Sequence, residues 1–316
     1  MERPITLILK GRNGNISIPH VMALLEPCLV YHYTDAAGLI GIVNGGTLFA
    51  SSPDSLNDAS ELQYGRRLLV EAWKRKRATT EDALAARVDH SVETLLAPTS
   101  GHTDSLYITS ASRQPDLLNQ WQHYAKKDGF SLGLNTAQEL DIRDRTGSIP
   151  PLFAIEAPRG FPFPAGWMTV IYDEQRQERM VSEMLDGLVQ ALADDADAGQ
   201  KSFLLALVLL CRLKHPSFAA EEEVRHVTYA PPRYAGPLFR PSRFGVTPYI
   251  QLSSASAPVS FAQEKPLLSP RLPIEAVVCG PAPASERASM TTNVTRLMQA
   301  RGYRVEVSAS ELPFRY

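Results

Sequence analysis

The chain of 316 residues, 44% hydrophobic and 21% charged, has the composition of a folded globular protein and can bury a full core as one large domain or two modest ones. A formal net charge of -2 gives no overall pull toward nucleic acid or an anionic membrane, and no apolar stretch is long enough to span a bilayer, so a cytoplasmic protein with no membrane partner is expected. Cys28, Cys211 and Cys279 have neither the paired spacing of a zinc site nor the density of a disulfide scaffold, which predicts reduced, mostly buried thiols.

Residues 1–28 read as a lead-in element: an apolar run from Ile5 to Leu9, a Gly-Asn turn at Gly11 to Asn15, and a short helix before Pro27. Leu29 to Thr34 then has the content of a strand, with His32 near its end. Asp35 is placed to cap a helix carrying Leu39, Ile40 and Val43, which Asn44-Gly45-Gly46 stops. Thr47 to Ser51 predicts another short strand. Leu56 to Glu61 is a turn into the next helix, where Asn57, Asp58 and Glu61 are expected to fix the elbow through caps and backbone hydrogen bonds.

Apolar residues at helical spacing run from Leu62 to Leu96, interrupted by Lys74-Arg75-Lys76-Arg77, which reads as a solvated helix face. Ser105 to Ser112 predicts a strand. Asp116 is expected to open a helix carrying Leu117, Leu118, Trp121 and Tyr124, closed by Asp128-Gly129. Strands are predicted at Phe130 to Leu134, Leu152 to Glu156 and Met168 to Tyr172. Helix then dominates from Asp173 to about His215, broken near Asp194-Asp195-Ala196-Asp197, a cluster without the spacing of a calcium loop.

Between Ala219 and Tyr229 the second half alternates as a strand does, and three carboxylates stand at its entrance. Strand alternation would point Glu221 and Glu223 one way and Glu222 the other. Further strands are expected at Pro248 to Leu252, Ile274 to Cys279 and Tyr303 to Val307, with a helix from about Ser289 to Ala300. No repeat or low-complexity linker divides the chain, so residues 29–316 are expected to form one α+β domain with helical insertions at about 61–97 and 173–215.

Tyr31-His32-Tyr33-Thr34, the segment from Gly46 to Ser51, Leu56-Asn57-Asp58 with Glu61, Ser110-Ala111-Ser112 followed by Trp121 and Tyr124, Phe218 to Arg225, and the Gly280-Pro281 turn together resemble the bacterial family known as domain of unknown function 2971. The resemblance runs from about Leu29 to the C-terminus. Ala111 stands where that family often has an aromatic residue. A remoter resemblance, to the ADP-ribosyltransferase fold, follows from a histidine on a first strand, a serine at the end of a second and Glu-x-Glu before a third. It implies a central mixed or antiparallel split sheet and NAD as a substrate, with no metal.

On that resemblance His32, Tyr33 and Thr34 hold the nicotinamide-side ribose, with His32 donating a hydrogen bond, and Ser110 and Tyr33 line the nicotinamide pocket. Glu223 stabilises the oxocarbenium-like centre, and Glu221 accepts a proton from the incoming nucleophile. The partners implied are a nucleotide and a macromolecular acceptor, protein or nucleic acid, as in a toxin or phage-defence effector. Two other readings stand beside it: a relative that binds a nucleotide or protein without catalysis, and a metal-dependent nuclease using Asp58, Glu61 and the carboxylates Glu221, Glu222 and Glu223 around a divalent ion.

Overall fold

A computed structural model describes residues 2–10, 15–53, 59–96, 106–125, 129–143, 166–194, 196–230, 236–242, 245–254 and 271–313. The chain begins with an antiparallel hairpin, β1 (Glu2–Lys10) and β2 (Asn15–Leu25). A strand therefore replaces the helix expected before Pro27. The β-branched Ile16, Ile18 and Val21 favour a pleated surface over a helix.

The main body follows as β3 (Leu29–Thr34), α1 (Ala36–Gly45), β4 (Leu48–Ser51), α2 (Ala59–Arg77), α3 (Asp82–Leu96) and β5 (Leu106–Ser112). Next come α4 (Leu118–Gln120), which runs on as a π-turn at Trp121–Ala125, then β6 (Phe130–Asn135), β7 (Leu140–Ile142) and β8 (Gly166–Thr169). Helices α5 (Glu174–Asp194) and α6 (Ala196–Leu210) precede a 3-10 turn at Pro216–Glu221 and strand β9 (Glu223–Tyr229). β10 (Leu238–Ser242), β11 (Gly245–Ser254), β12 (Ile274–Cys279), α7 (Ala284–Ala300) and β13 (Glu306–Ala309) complete the fold.

Local chemistry sets several of these boundaries. The Asp35 carboxylate accepts the Gly38 N–H at 2.9 Å, and Gly46, at φ 62°, returns its N–H to the Ile42 carbonyl. Asp116, expected to open a helix, does something else. Its carboxylate accepts from Trp121 Nε1 at 2.7 Å, Ser310 Oγ at 2.6 Å and the Glu311 N–H at 2.9 Å, tying the π-turn to the C-terminal segment. The last strand lies at Glu306–Ala309, later than expected, because Tyr303 is drawn into the core instead of pairing. Asn57, Asp58 and the strand expected at Leu152 to Glu156 lie outside the described residues.

Among the described residues one mixed sheet of 11 strands carries the domain, in the order β10-β11-β4-β5-β3-β6-β12-β13, with β7 on β11 and the pair β9-β8 on β5. The β12–β13 pair is parallel, bridged by α7, and the other pairs are antiparallel. β5 is the branch point. One of its edges pairs with β9 from Leu106↔Tyr229 to Ser112↔Glu223. Its other edge meets β4 only at Ser51↔Ile108 and β3 only at Tyr31↔Ser112. Two strands thus share one edge and part beside Thr109 to Ala111, leaving a notch in the sheet.

The two faces are covered separately. Leu106 and Ile108 of β5 join Leu69 and Trp73 of α2, Val88 of α3, Met184 of α5 and Leu205 of α6 in one core. Tyr107 and Ala111, one residue out of phase, join Leu39 of α1, Val30, Leu132, Val277 and Met298 of α7 in the other. Side chains at Phe203 to Leu210 are all buried, which accounts for the longest apolar run in the sequence. Among the described residues no helix is long and apolar enough to cross a membrane.

Candidate functional site

A cleft of about 290 Å3 opens at the notch. Strand register places Tyr31 and Tyr33 of β3, Phe49 and Ser51 of β4, Ser110 of β5, and Glu223 and Arg225 of β9 on one face of the sheet around it. Gln120 and Tyr124, at the π-turn, and Glu221 complete the walls together with Arg240 of β10.

His32 bridges the parted strands. Its Nδ1 lies 2.9 Å from the Ser110 carbonyl oxygen, so Nδ1 carries the proton and donates, and Nε2 of the neutral ring is left as an acceptor. Burial lowers the pKa of this imidazole, with the Ser110 carbonyl pulling the other way. The expected role of His32 as a donor to a ligand is therefore corrected. Its one donor is already committed to the sheet.

Opposite stands a buried ionic cluster. Lys214 Nζ donates to Glu221 Oε2 at 2.8 Å and to Glu223 Oε2 at 2.9 Å. Arg225 donates from Nε to Glu223 Oε1 at 2.7 Å and from Nη2 to Oε2 at 2.9 Å, while its Nη1 holds the Cys211 carbonyl at 2.7 Å. Ser110 of the neighbouring strand also helps to lower the Glu223 carboxyl. Burial pushes the Glu223 carboxyl up, but Arg225 and Lys214 outweigh it and bring the group down to about 2. It is ionised at any physiological pH.

Glu221 and Glu223 reach the same lysine, but not through strand alternation. Glu221 ends the 3-10 turn, Glu222 takes a left-handed conformation at φ 44°, and the strand starts only at Glu223. Backbone bonds stabilise that corner: Arg113 N–H donates to the Glu222 carbonyl at 3.0 Å, and Ser112 Oγ to the Glu221 carbonyl at 2.9 Å. The Glu222 side chain turns outward and accepts from Gln114 Nε2 at 2.9 Å.

Tyr33 contributes its ring and not its hydroxyl. The hydroxyl donates to the Gln114 carbonyl and accepts the Leu117 N–H, both at 2.9 Å, and the ring sits edge-on to Trp121 with centroids 4.7 Å apart. Thr34 is not in the cleft. It pairs with Phe130 and lies against the first turn of α1, where a Cβ at Gly38 would fall 1.9 Å from its Oγ1.

Several cleft residues carry no motif in the sequence. Phe49, 43% exposed, packs on Tyr249 with centroids 4.3 Å apart. Arg240 Nη2 donates to Ser51 Oγ at 3.1 Å, while Arg240 Nε is buried without a partner among the described residues. Gln120 is 7% exposed, and among the described residues nothing bonds its carboxamide. Gln120 alone left a trace in the sequence: a polar residue where the helix has a buried position.

Residues 120–226 match the family model described as protein of unknown function (DUF2971). The expected resemblance to that family thus holds over this stretch. It runs from Gln120 through the π-turn to β9 and contains Lys214, Glu221, Glu223 and Arg225, while His32, Ser110 and Arg240 stand outside it. No curated protein and no solved structure matches the chain.

Proposed function

We propose that the cleft transfers ADP-ribose from NAD to a macromolecular acceptor, protein or nucleic acid, releasing nicotinamide. One observation carries the proposal: His32, Ser110 and Glu223, from three strands far apart in sequence, line one notch where the sheet parts. Breaking the nicotinamide–ribose bond leaves positive charge on the ribose carbon and its ring oxygen as the electron pair departs with nicotinamide. Glu223, ionised and fixed by three donors, accepts a ribose hydroxyl without having to reorganise. His32 Nε2 accepts a second hydroxyl. The rings of Tyr31 and Tyr33 supply an apolar wall for the leaving ring.

Glu221 is suited to the proton. Only Oε2 is held by Lys214, and among the described residues Oε1 has no partner, so it can take the proton that the attacking acceptor group sheds. Glu223 is not suited to it, since a carboxyl near 2 is too weak a base.

A second reading, nucleotide binding without turnover, is favoured by the same cluster. Lys214 and Arg225 already neutralise the two carboxylates, which leaves less negative charge to stabilise an oxocarbenium. That pairing also weighs against a metal held by Glu221 and Glu223. Incubation with NAD and candidate acceptors, with nicotinamide release and ADP-ribose transfer as readouts, separates the readings. The transferase gives both products, and Ser110→Ala lowers kcat at least about tenfold in protein of unchanged melting temperature. NAD bound but intact, or Ser110→Ala turning over like wild type, defeats the transferase reading.

A further inference from the structure

The proposed chemistry leaves one wall of the cleft without a task. Arg240 on β10 reaches across β11 to Ser51, yet among the described residues its buried Nε has no hydrogen-bond partner and no carboxylate pairs with its guanidinium. On the other wall Glu221 and Glu223 are matched by Lys214 and Arg225. Counted with Lys214 behind them, those two carboxylates are already matched before Arg240 is added. A buried N–H without an acceptor costs stability in the empty protein, and that loss is recovered when an anionic oxygen arrives. The planar guanidinium, with one arm already fixed on Ser51, is shaped for two parallel bonds to phosphate oxygens.

Beside it stands an aromatic platform. Ser51 pairs with Tyr249, and Tyr249 with Leu238, two residues before Arg240, so Phe49, Ser51, Tyr249 and Arg240 project from one face of three neighbouring strands. The Phe49 ring rests on Tyr249 at an interplanar angle of 36° and keeps 43% of its surface exposed. A ring steadied from behind, next to a guanidinium lacking a counter-ion, is suited to receive a base and its phosphate together.

We propose that Arg240 and Ser51 anchor the phosphate of a nucleoside diphosphate, ADP or the ADP half of a dinucleotide, with its base on Phe49. This rests on the reading of the cleft as a nucleotide site, and on none of its bond-breaking chemistry.

Titration calorimetry of the full chain with ADP and with adenosine tests it, using wild type, Arg240→Met, Arg240→Lys and Phe49→Ala, each checked by thermal melting. Wild type binds ADP at least about tenfold tighter than adenosine, and salt raised from roughly 50 to 300 mM narrows the gap. Arg240→Met removes the ADP advantage, and Arg240→Lys, which keeps charge but not the fork, restores only part of it. Phe49→Ala weakens both ligands by a similar factor. The proposal is overturned if wild type fails to bind ADP, if it does not distinguish ADP from adenosine, or if folded Arg240→Met binds ADP like wild type. ADP held through Arg240 while NAD stays intact would sink the transferase and leave the phosphate anchor standing. NAD turned over by Arg240→Met with wild-type kcat/KM would do the reverse.

Discussion

Glu223 shows how much of a side chain's meaning lies in its neighbours. It is the counter-ion of two cations that are themselves almost fully buried, Lys214 and Arg225. Replacing a partner in such a cluster leaves charge without compensation, and Glu223→Gln is expected to destabilise the fold by about 3 kcal/mol or more. Chemical denaturation measures this, and a loss below about 1 kcal/mol would mean the cluster is more hydrated than its geometry implies. Activity lost in Glu223→Gln is thus ambiguous, whereas Ser110→Ala alters the wall of the same cleft and leaves the ion pairs in place. Gln120 offers the opposite contrast, since its carboxamide, on the wall of the cleft, bonds to nothing among the described residues. Gln120→Met keeps the volume and removes a polar group that no described residue bonds, so the melting temperature should hold while affinity for NAD or ADP falls several-fold. Unchanged affinity would free Gln120 of a ligand-reading task.

At the scale of elements, the sequence exposed what short-range chemistry decides and hid what pairing decides. The Asp35 cap, the Gly46 stop, the strands around His32 and Ser110 and the two long helices were legible because each is set by residues within a few positions. The three-residue β7 and the edge strand β10, with Pro241 inside it, were not, because they exist only through β11. That is why Arg240 gave no sign of belonging to the site. Periodicity predicts Glu221 and Glu223 on one side through strand alternation, whereas the left-handed Glu222 provides the turn that brings them there. The π-turn at Trp121–Ala125 is another element made by distant contacts, through Asp116 and the segment at Ser310 and Glu311. Asp116→Asn should weaken these three bonds, lowering stability by about 1–3 kcal/mol and loosening the wall that carries Gln120 and Tyr124. Ligand affinity measured alongside the melt would show both effects, and a variant as stable as wild type would show that the segment is held by other contacts.

For the whole molecule, the buried imidazoles set the response to acid. His226 packs edge-on to Trp167 with centroids 5.5 Å apart, bonds Thr228 Oγ1 through Nδ1 at 3.0 Å, and is 1% exposed. Burial holds its pKa down at about 4, against 6.5 in the unfolded chain. Between those values the unfolded state binds a proton that the folded state refuses, so stability is full above about pH 6.5 and is lost progressively down to about pH 4. The loss from this group is on the order of 3 kcal/mol. His32 is shifted the same way and adds to it. Glu223 acts lower: its folded value of about 2 lies beneath the ordinary 4.5, so the stability it lends is present above about pH 4.5 and drains away from there toward pH 2. Stability measured by denaturant titration should be level from pH 8 to 7, fall between roughly pH 6.5 and 4, and fall further below that. His226→Gln, whatever its cost at pH 7, should flatten the upper fall and leave the lower one. A wild-type curve that stays level down to pH 4.5 would mean that His226 takes up its proton inside the fold.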